Sequence, residues 1–133
     1  TTYQRYYNTS DSGPFEDFKG DRIPNTPYFF ANGAAKYELS DVFRKKDKLS
    51  FFWNVRYVNS FFVSWESAGL QQFKAEVPNQ TTHAFGLTHR MSIGDIQNAL
   101  SFEIQTLTDA KVFDLFGVQR PGRSFSLKST IQF

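Results

Sequence analysis

The stretch RSFSLKSTIQF, residues 123–133, decides how this chain is read. Successive side chains of a β-strand point to opposite faces of the sheet. Laid out that way, Phe125, Leu127, Ile131 and Phe133 fall on one side. Ser124, Ser126, Lys128, Thr130 and Gln132 fall on the other. The segment is a strand with one apolar and one polar face, and the chain ends on an aromatic residue.

Upstream the alternation recurs. Residues 48–64 (KLSFFWNVRYVNSFFVS) put Leu49, Phe51, Trp53, Val55, Tyr57, Phe61 and Val63 on the odd side, with Asn59 the one polar member. The even side is mixed, from Lys48 and Ser50 through Asn54 and Arg56 to Ser64. A usual strand runs about five or six residues. Period two over residues 48–64 predicts one long strand, able to cross a bilayer in about ten residues and continue beyond it. Residues 28–39 read the same way, with Phe29, Ala31, Gly33, Ala35, Tyr37 and Leu39 on one face. In residues 81–91, Phe85, Leu87 and Met91 share a face with His83 and His89. In residues 99–107, Leu100, Phe102 and Ile104 oppose Ser101, Glu103 and Gln105. Residues 2–7 read as the end of one more strand. The expected fold is all-β, an antiparallel meander of about five to six long strands.

Composition fits a sheet with one greasy face. Mean hydropathy is −0.46, so the average residue is polar. Yet 18% of residues are aromatic, 16 of them Phe, which suits aromatic girdles around an apolar band and equally an ordinary aromatic-rich β-protein with a buried core. No apolar run approaches the roughly 18 residues of a transmembrane helix. The net charge of +2 is too mild for a nucleic-acid surface. With no cysteine there is neither a disulfide framework nor a thiolate metal site. The chain opens Thr-Thr-Tyr without a signal peptide, and reads as processed or cut from something longer.

The connectors alternate in length. Residues 40–47 and 92–98 are short; residues 65–79, 108–122 and the polar stretch 8–27 are about twice as long. Outer-membrane barrels put short turns on the periplasmic side and long loops outside. Such barrels need at least about 8 strands to close around their own side chains. The chain is therefore expected to be either part of a larger barrel or a soluble protein whose apolar faces meet each other.

Residues 107–114 (LTDAKVFD), then 116–123 (FGVQRPGR), then the terminal strand, resemble the C-terminus of TonB-dependent outer-membrane receptors. In that family an N-L-T-D element precedes a loop, a P-G-R element opens the final strand, and Phe ends the chain. Here residues 106–109 read T-L-T-D, so Thr106 stands where the family has Asn. The stretches 23–28 (IPNTPY) and 77–80 (VPNQ) look like strand entries in these receptors, and the likeness covers residues 22–133.

The resemblance implies that residues 1–133 are a C-terminal portion of a 22-stranded barrel in the bacterial outer membrane. The plug and the TonB-contacting segment would lie in a missing N-terminal part. The whole receptor would import a scarce nutrient (siderophore, haem, vitamin or glycan) with TonB-delivered energy; this piece alone would not. The implied partners are the rest of the barrel and plug, lipid, and the outer-membrane assembly machinery, with self-association if isolated. Ile131 and Phe133 match the apolar third-last and last positions that the machinery reads, while Lys128 stands where a glycine is often found. The residues expected to face lipid are Phe29, Leu49, Phe51, Trp53, Val55, Tyr57, Phe85, Leu87, Leu100, Phe102, Ile104, Phe125, Leu127 and Ile131.

No catalytic or cofactor chemistry is expected. His83 and His89 would lie roughly 20 Å apart along one strand, too far for shared metal ligation. Asp95 and Glu103 flank a turn without carboxylate partners, and no Ser/His/Asp ordering, phosphate loop or EF-hand loop occurs. The run Arg44, Lys45, Lys46 with Lys48 reads as a solvated turn, with anionic head groups as a lesser alternative. Trp53, Tyr57, Trp65 and Tyr37 suit either an interfacial girdle or core packing. Trp65 and Glu66 open a long loop that the receptor reading makes extracellular. Two other classes remain open: a soluble β-barrel carrier of a small hydrophobic ligand, similar to lipocalins or fatty-acid-binding proteins, and a β-sandwich module for sugars.

Overall fold

The computed structural model describes residues 2–70 and 74–133. Its elements are β1 (Thr2–Tyr3), a 3-10 turn (Glu16–Phe18), β2 (Phe29–Ser40), β3 (Lys48–Val58), β4 (Phe61–Phe62), β5 (Glu76–Val77), β6 (Gln80–Ile93), β7 (Ile96–Gln105) and β8 (Ser124–Gln132). The chain is all-β. Six strands form an antiparallel sheet in the order β1-β2-β3-β6-β7-β8, and β4 with β5 forms a separate two-stranded ribbon. Strands β1 and β8 stand at the two ends of that order.

Two compact units divide the residues, and β2, β3 and β6 contribute to each. The first holds residues 1–31, 56–81 and 111–120. Its core is Val58, Phe61 and Val77, with Phe30, Val63 and Phe113 packed around them. The buried Gln80 accepts the Phe113 amide at 2.7 Å, tying the segment after β7 to the start of β6. Buried Asn8 donates to the Phe15 carbonyl at 2.6 Å and accepts the Ser10 amide at 3.0 Å. Trp65 stacks on Phe18 at 5.1 Å and leans on Phe15 at 5.8 Å.

The long strand expected over residues 48–64 stops at Val58. The ladder with β2 reaches Asn59, and the strand ends where the Ser60 amide turns to the Asn79 side chain. The Asn59 amide donates to the Phe29 carbonyl at 3.0 Å, and the Ser60 amide to Asn79 Oδ1 at 2.7 Å. Phe61 and Phe62 then pair with Val77 and Glu76, and Phe61 enters the core.

The second unit holds residues 32–55, 82–110 and 121–133. Its short connectors are the turn 41–47 and a hairpin tighter than expected. Ile93 pairs with Ile96, leaving Gly94 and Asp95 as a two-residue loop. Gly94 has φ +61 while Asp95 keeps a negative φ, the pattern of a type II′ turn that needs glycine first. The strands on either side are correspondingly longer than the alternation suggested.

Candidate lipid-facing surface

Directly paired residues of an antiparallel ladder share a face. In the second unit, Phe85 pairs with Ile104, which pairs with Phe125. Leu87 pairs with Phe102, which pairs with Leu127. His89 faces Leu100, and Ile131 faces Asn98 beside Met91. Phe102 stacks on Phe125 at 6.4 Å, and Phe51 of β3 meets Phe85 at the same centroid distance. Trp53 stacks on His83 at 5.8 Å, and a Cβ on Gly33 would touch Val55 at 3.0 Å. Leu49 follows the same strand parity. Twelve strand positions expected to face lipid in this unit thus lie on one continuous face. Residues Phe29 and Tyr57, in the first unit, meet each other at 5.8 Å.

The opposite face is polar. It carries Thr88, Arg90 and Ser92 on β6, Gln97, Ser101 and Glu103 on β7, and Ser126, Lys128, Thr130 and Gln132 on β8. Thr88 and Ser101 share a hydroxyl hydrogen bond at 3.0 Å. Glu38 accepts from Ser50 at 3.0 Å and lies 3.4 Å from Lys36 and 3.6 Å from Lys48. Phe52 is the exception here. Its ring covers buried Gly86, where a Cβ would come within 2.0 Å of it. Glycine supplies the seat that lets an aromatic ring lie flat on a polar face.

Burial in this unit is inverted relative to a water-soluble domain. Its buried residues are Asp47, Ser50 and Gly86. Its apolar face is open, with Leu127 71%, Phe125 62% and Ile131 54% exposed, and Phe133 94%. Every residue of β8 is exposed on both faces. Soluble monomers rarely leave a contiguous array of this kind uncovered.

The two sequence elements that carry the receptor resemblance also meet. Asp109 Oδ1 accepts the Arg123 amide at 2.9 Å, and a Cβ on Gly122 would press to 2.6 Å from that oxygen. Thr106 and Asp109 both adopt positive φ, at 50° and 55°. The T-L-T-D turn and the P-G-R entry to β8 are halves of one hydrogen-bonded corner.

Alternation alone did not reveal a second polar centre. Asp47, in the turn before β3, is 1% exposed and lies 3.0 Å from His89 Nε2. Burial opposes its ionisation. The His89 hydrogen bond and the amides of Phe43, Val42 and Arg44 outweigh that and hold the carboxyl below the usual aspartate range. The one sequence cue was parity, since His89 sits on the apolar face and needs a polar partner at its end. His83 stacks on Trp53, while His89 meets Asp47. Among the described residues, no cluster of three or more His, Cys, Asp or Glu side chains could hold a metal. A hollow of about 110 Å³ beside Arg22, Tyr28, Phe62 and Glu66 is smaller than the roughly 300–1,000 Å³ of small-molecule sites.

In comparisons with protein-family models, curated proteins and solved structures, no family, relative or structural neighbour matches the chain.

Proposed function

We infer that the chain is a C-terminal portion of a bacterial outer-membrane β-barrel of the TonB-dependent receptor type, a transporter component rather than an enzyme. The observation that carries the reading is the inverted burial of the second unit. Aromatic and aliphatic side chains stand exposed on one face while an aspartate, a serine and a glycine are buried. Hydrocarbon is the solvent that makes that arrangement stable. The polar face with Glu38, Lys48 and Thr88 would then line the lumen. Short turns at 41–47 and 94–95 alternate with long connections at 59–79 and 106–123, in keeping with periplasmic turns and extracellular loops.

In this reading β8 joins a strand from the remainder of the barrel, and Ile131 with Phe133 presents the assembly signal. The transported nutrient would meet the long loops, in a receptor completed by plug and TonB contact outside this chain. A soluble carrier needs a closed sheet around a cavity. Among the described residues β8 pairs with β7 alone, which favours the barrel piece over it.

The test is sedimentation of the chain with and without detergent. The expected result is self-association in plain buffer and dispersal in micelles. A single monomeric species without detergent would sink the reading, because its apolar face would then have found cover within the chain.

A further inference from the structure

The turn between β2 and β3, residues 41–47, directs its two carboxylates into its own backbone. Asp47 Oδ1 accepts the Val42 amide at 2.8 Å, and its Oδ2 accepts those of Phe43 and Arg44 at 3.0 and 3.3 Å. Asp41 Oδ1 accepts the Lys46 amide at 2.5 Å. Asp41 and Lys46 hold φ +59 and +71 without being glycine. Such conformations persist only where surrounding contacts over-determine them, and these hydrogen bonds do so. The turn is closed by its own hydrogen bonds, and its carboxylates are engaged by its amides and by His89.

What it presents outward is different. Phe43 is 70% exposed, with its edge against His89, and Val42 stands exposed beside it. Arg44, Lys45 and Lys46 are exposed, and none pairs with a carboxylate among the described residues. An apolar tip flanked by three unpaired cations fits a surface that offers phosphate charge and apolar depth together. A free phosphate or a nucleic acid would use the cations and leave Phe43 and Val42 in water.

The geometry points to the turn 41–47 as a binding surface for the head groups of an anionic phospholipid leaflet. It goes beyond the receptor reading and rests on the turn's own residues. Cations near an anionic leaflet attract it additively, and the attraction fades with salt.

The experiment measures partition of the full chain onto phosphatidylcholine vesicles with and without phosphatidylglycerol. The wild type should prefer phosphatidylglycerol, and less so at high salt. The triple variant Arg44→Gln, Lys45→Gln, Lys46→Asn should lose that preference, by a factor on the order of a hundred. Its binding to phosphatidylcholine should not change, which shows that it still folds. Arg44→Lys alone should keep the preference, and Phe43→Ser should weaken binding to phosphatidylglycerol vesicles. Retained preference in the triple variant would overturn the proposal, as would displacement of the wild type by inorganic phosphate at matched ionic strength. A chain that ignores phosphatidylcholine yet binds phosphatidylglycerol through residues 44–46 would overturn the receptor reading and support this one.

Discussion

A Cβ on Gly122 would lie 2.6 Å from Asp109 Oδ1 across the corner that opens β8, so the space it needs is already taken by the Asp109 carboxylate. The same carboxylate receives the Arg123 amide. Gly122→Ala should therefore break that hydrogen bond rather than merely crowd the turn. The expected loss is about 0.5–1.5 kcal/mol, as for one intramolecular hydrogen bond. Asp109→Ala should cost a similar amount. The double variant should cost little more than either, because both remove one interaction. Additive losses in urea titrations of the micelle-refolded chain would refute the shared-corner account.

The two faces of β3 make opposite predictions at adjacent positions. Phe51→Arg or Val55→Arg should cost about 2–4 kcal/mol of folding into lipid if the site lies near the midplane. Replacing Asn54, on the polar face, should cost little. Equilibrium folding into vesicles measures all three variants, and the reverse ranking would mean that the faces are exchanged.

Trp53 and Trp65 are the only tryptophans, and they report on different surroundings. In a Trp65→Phe variant, fluorescence comes from Trp53 alone, exposed on the apolar face beside His83. Brominated lipid should quench it, and aqueous iodide should not. Strong iodide quenching with no lipid effect would remove Trp53 from the membrane face.

Acid should loosen the turn at residues 41–47. The Asp47 carboxyl is held below its ordinary 3.8 by hydrogen bonds that outweigh its burial. A carboxyl with a lowered folded-state pKa stabilises the fold fully above its unfolded value, and the contribution disappears as pH falls through the folded value. Exchange protection of the Val42 and Phe43 amides, corrected for intrinsic rates, should thus be flat above about pH 5 and fall below pH 3.8. In Asp47→Asn this acid-dependent fall should vanish, with lower protection throughout. An unchanged acid profile in that variant would assign the fall to another group.

The long strands and their faces were legible because period-two alternation is local and repeats over many residues. Phe125, Leu127, Leu100 and Phe102 occupy the face their parity assigned. The break at Asn59 was not legible, since it depends on Asn79, which is distant in sequence and accepts the Ser60 amide. The tight Gly94–Asp95 loop was missed because the polar residues around it resemble a longer turn while still pairing as strand. The seat of Phe52 on Gly86 was not legible, since alternation leaves the even side of residues 48–64 mixed and does not show which residue lies under a ring. The Asp47–His89 pair escaped because a buried carboxylate in a charged run carries the same letters as a solvated one.

Two faces of opposite chemistry restrict how this sequence can change over generations. Removing one residue inside β6, β7 or β8 would turn every later side chain of that strand over, sending Lys and Ser where Leu and Phe belong. Substitutions within a class are tolerated there, but insertions and deletions are not. Length variation among descendants of this chain should therefore collect between residues 59–79 and 106–123, leaving the strands fixed in number of residues.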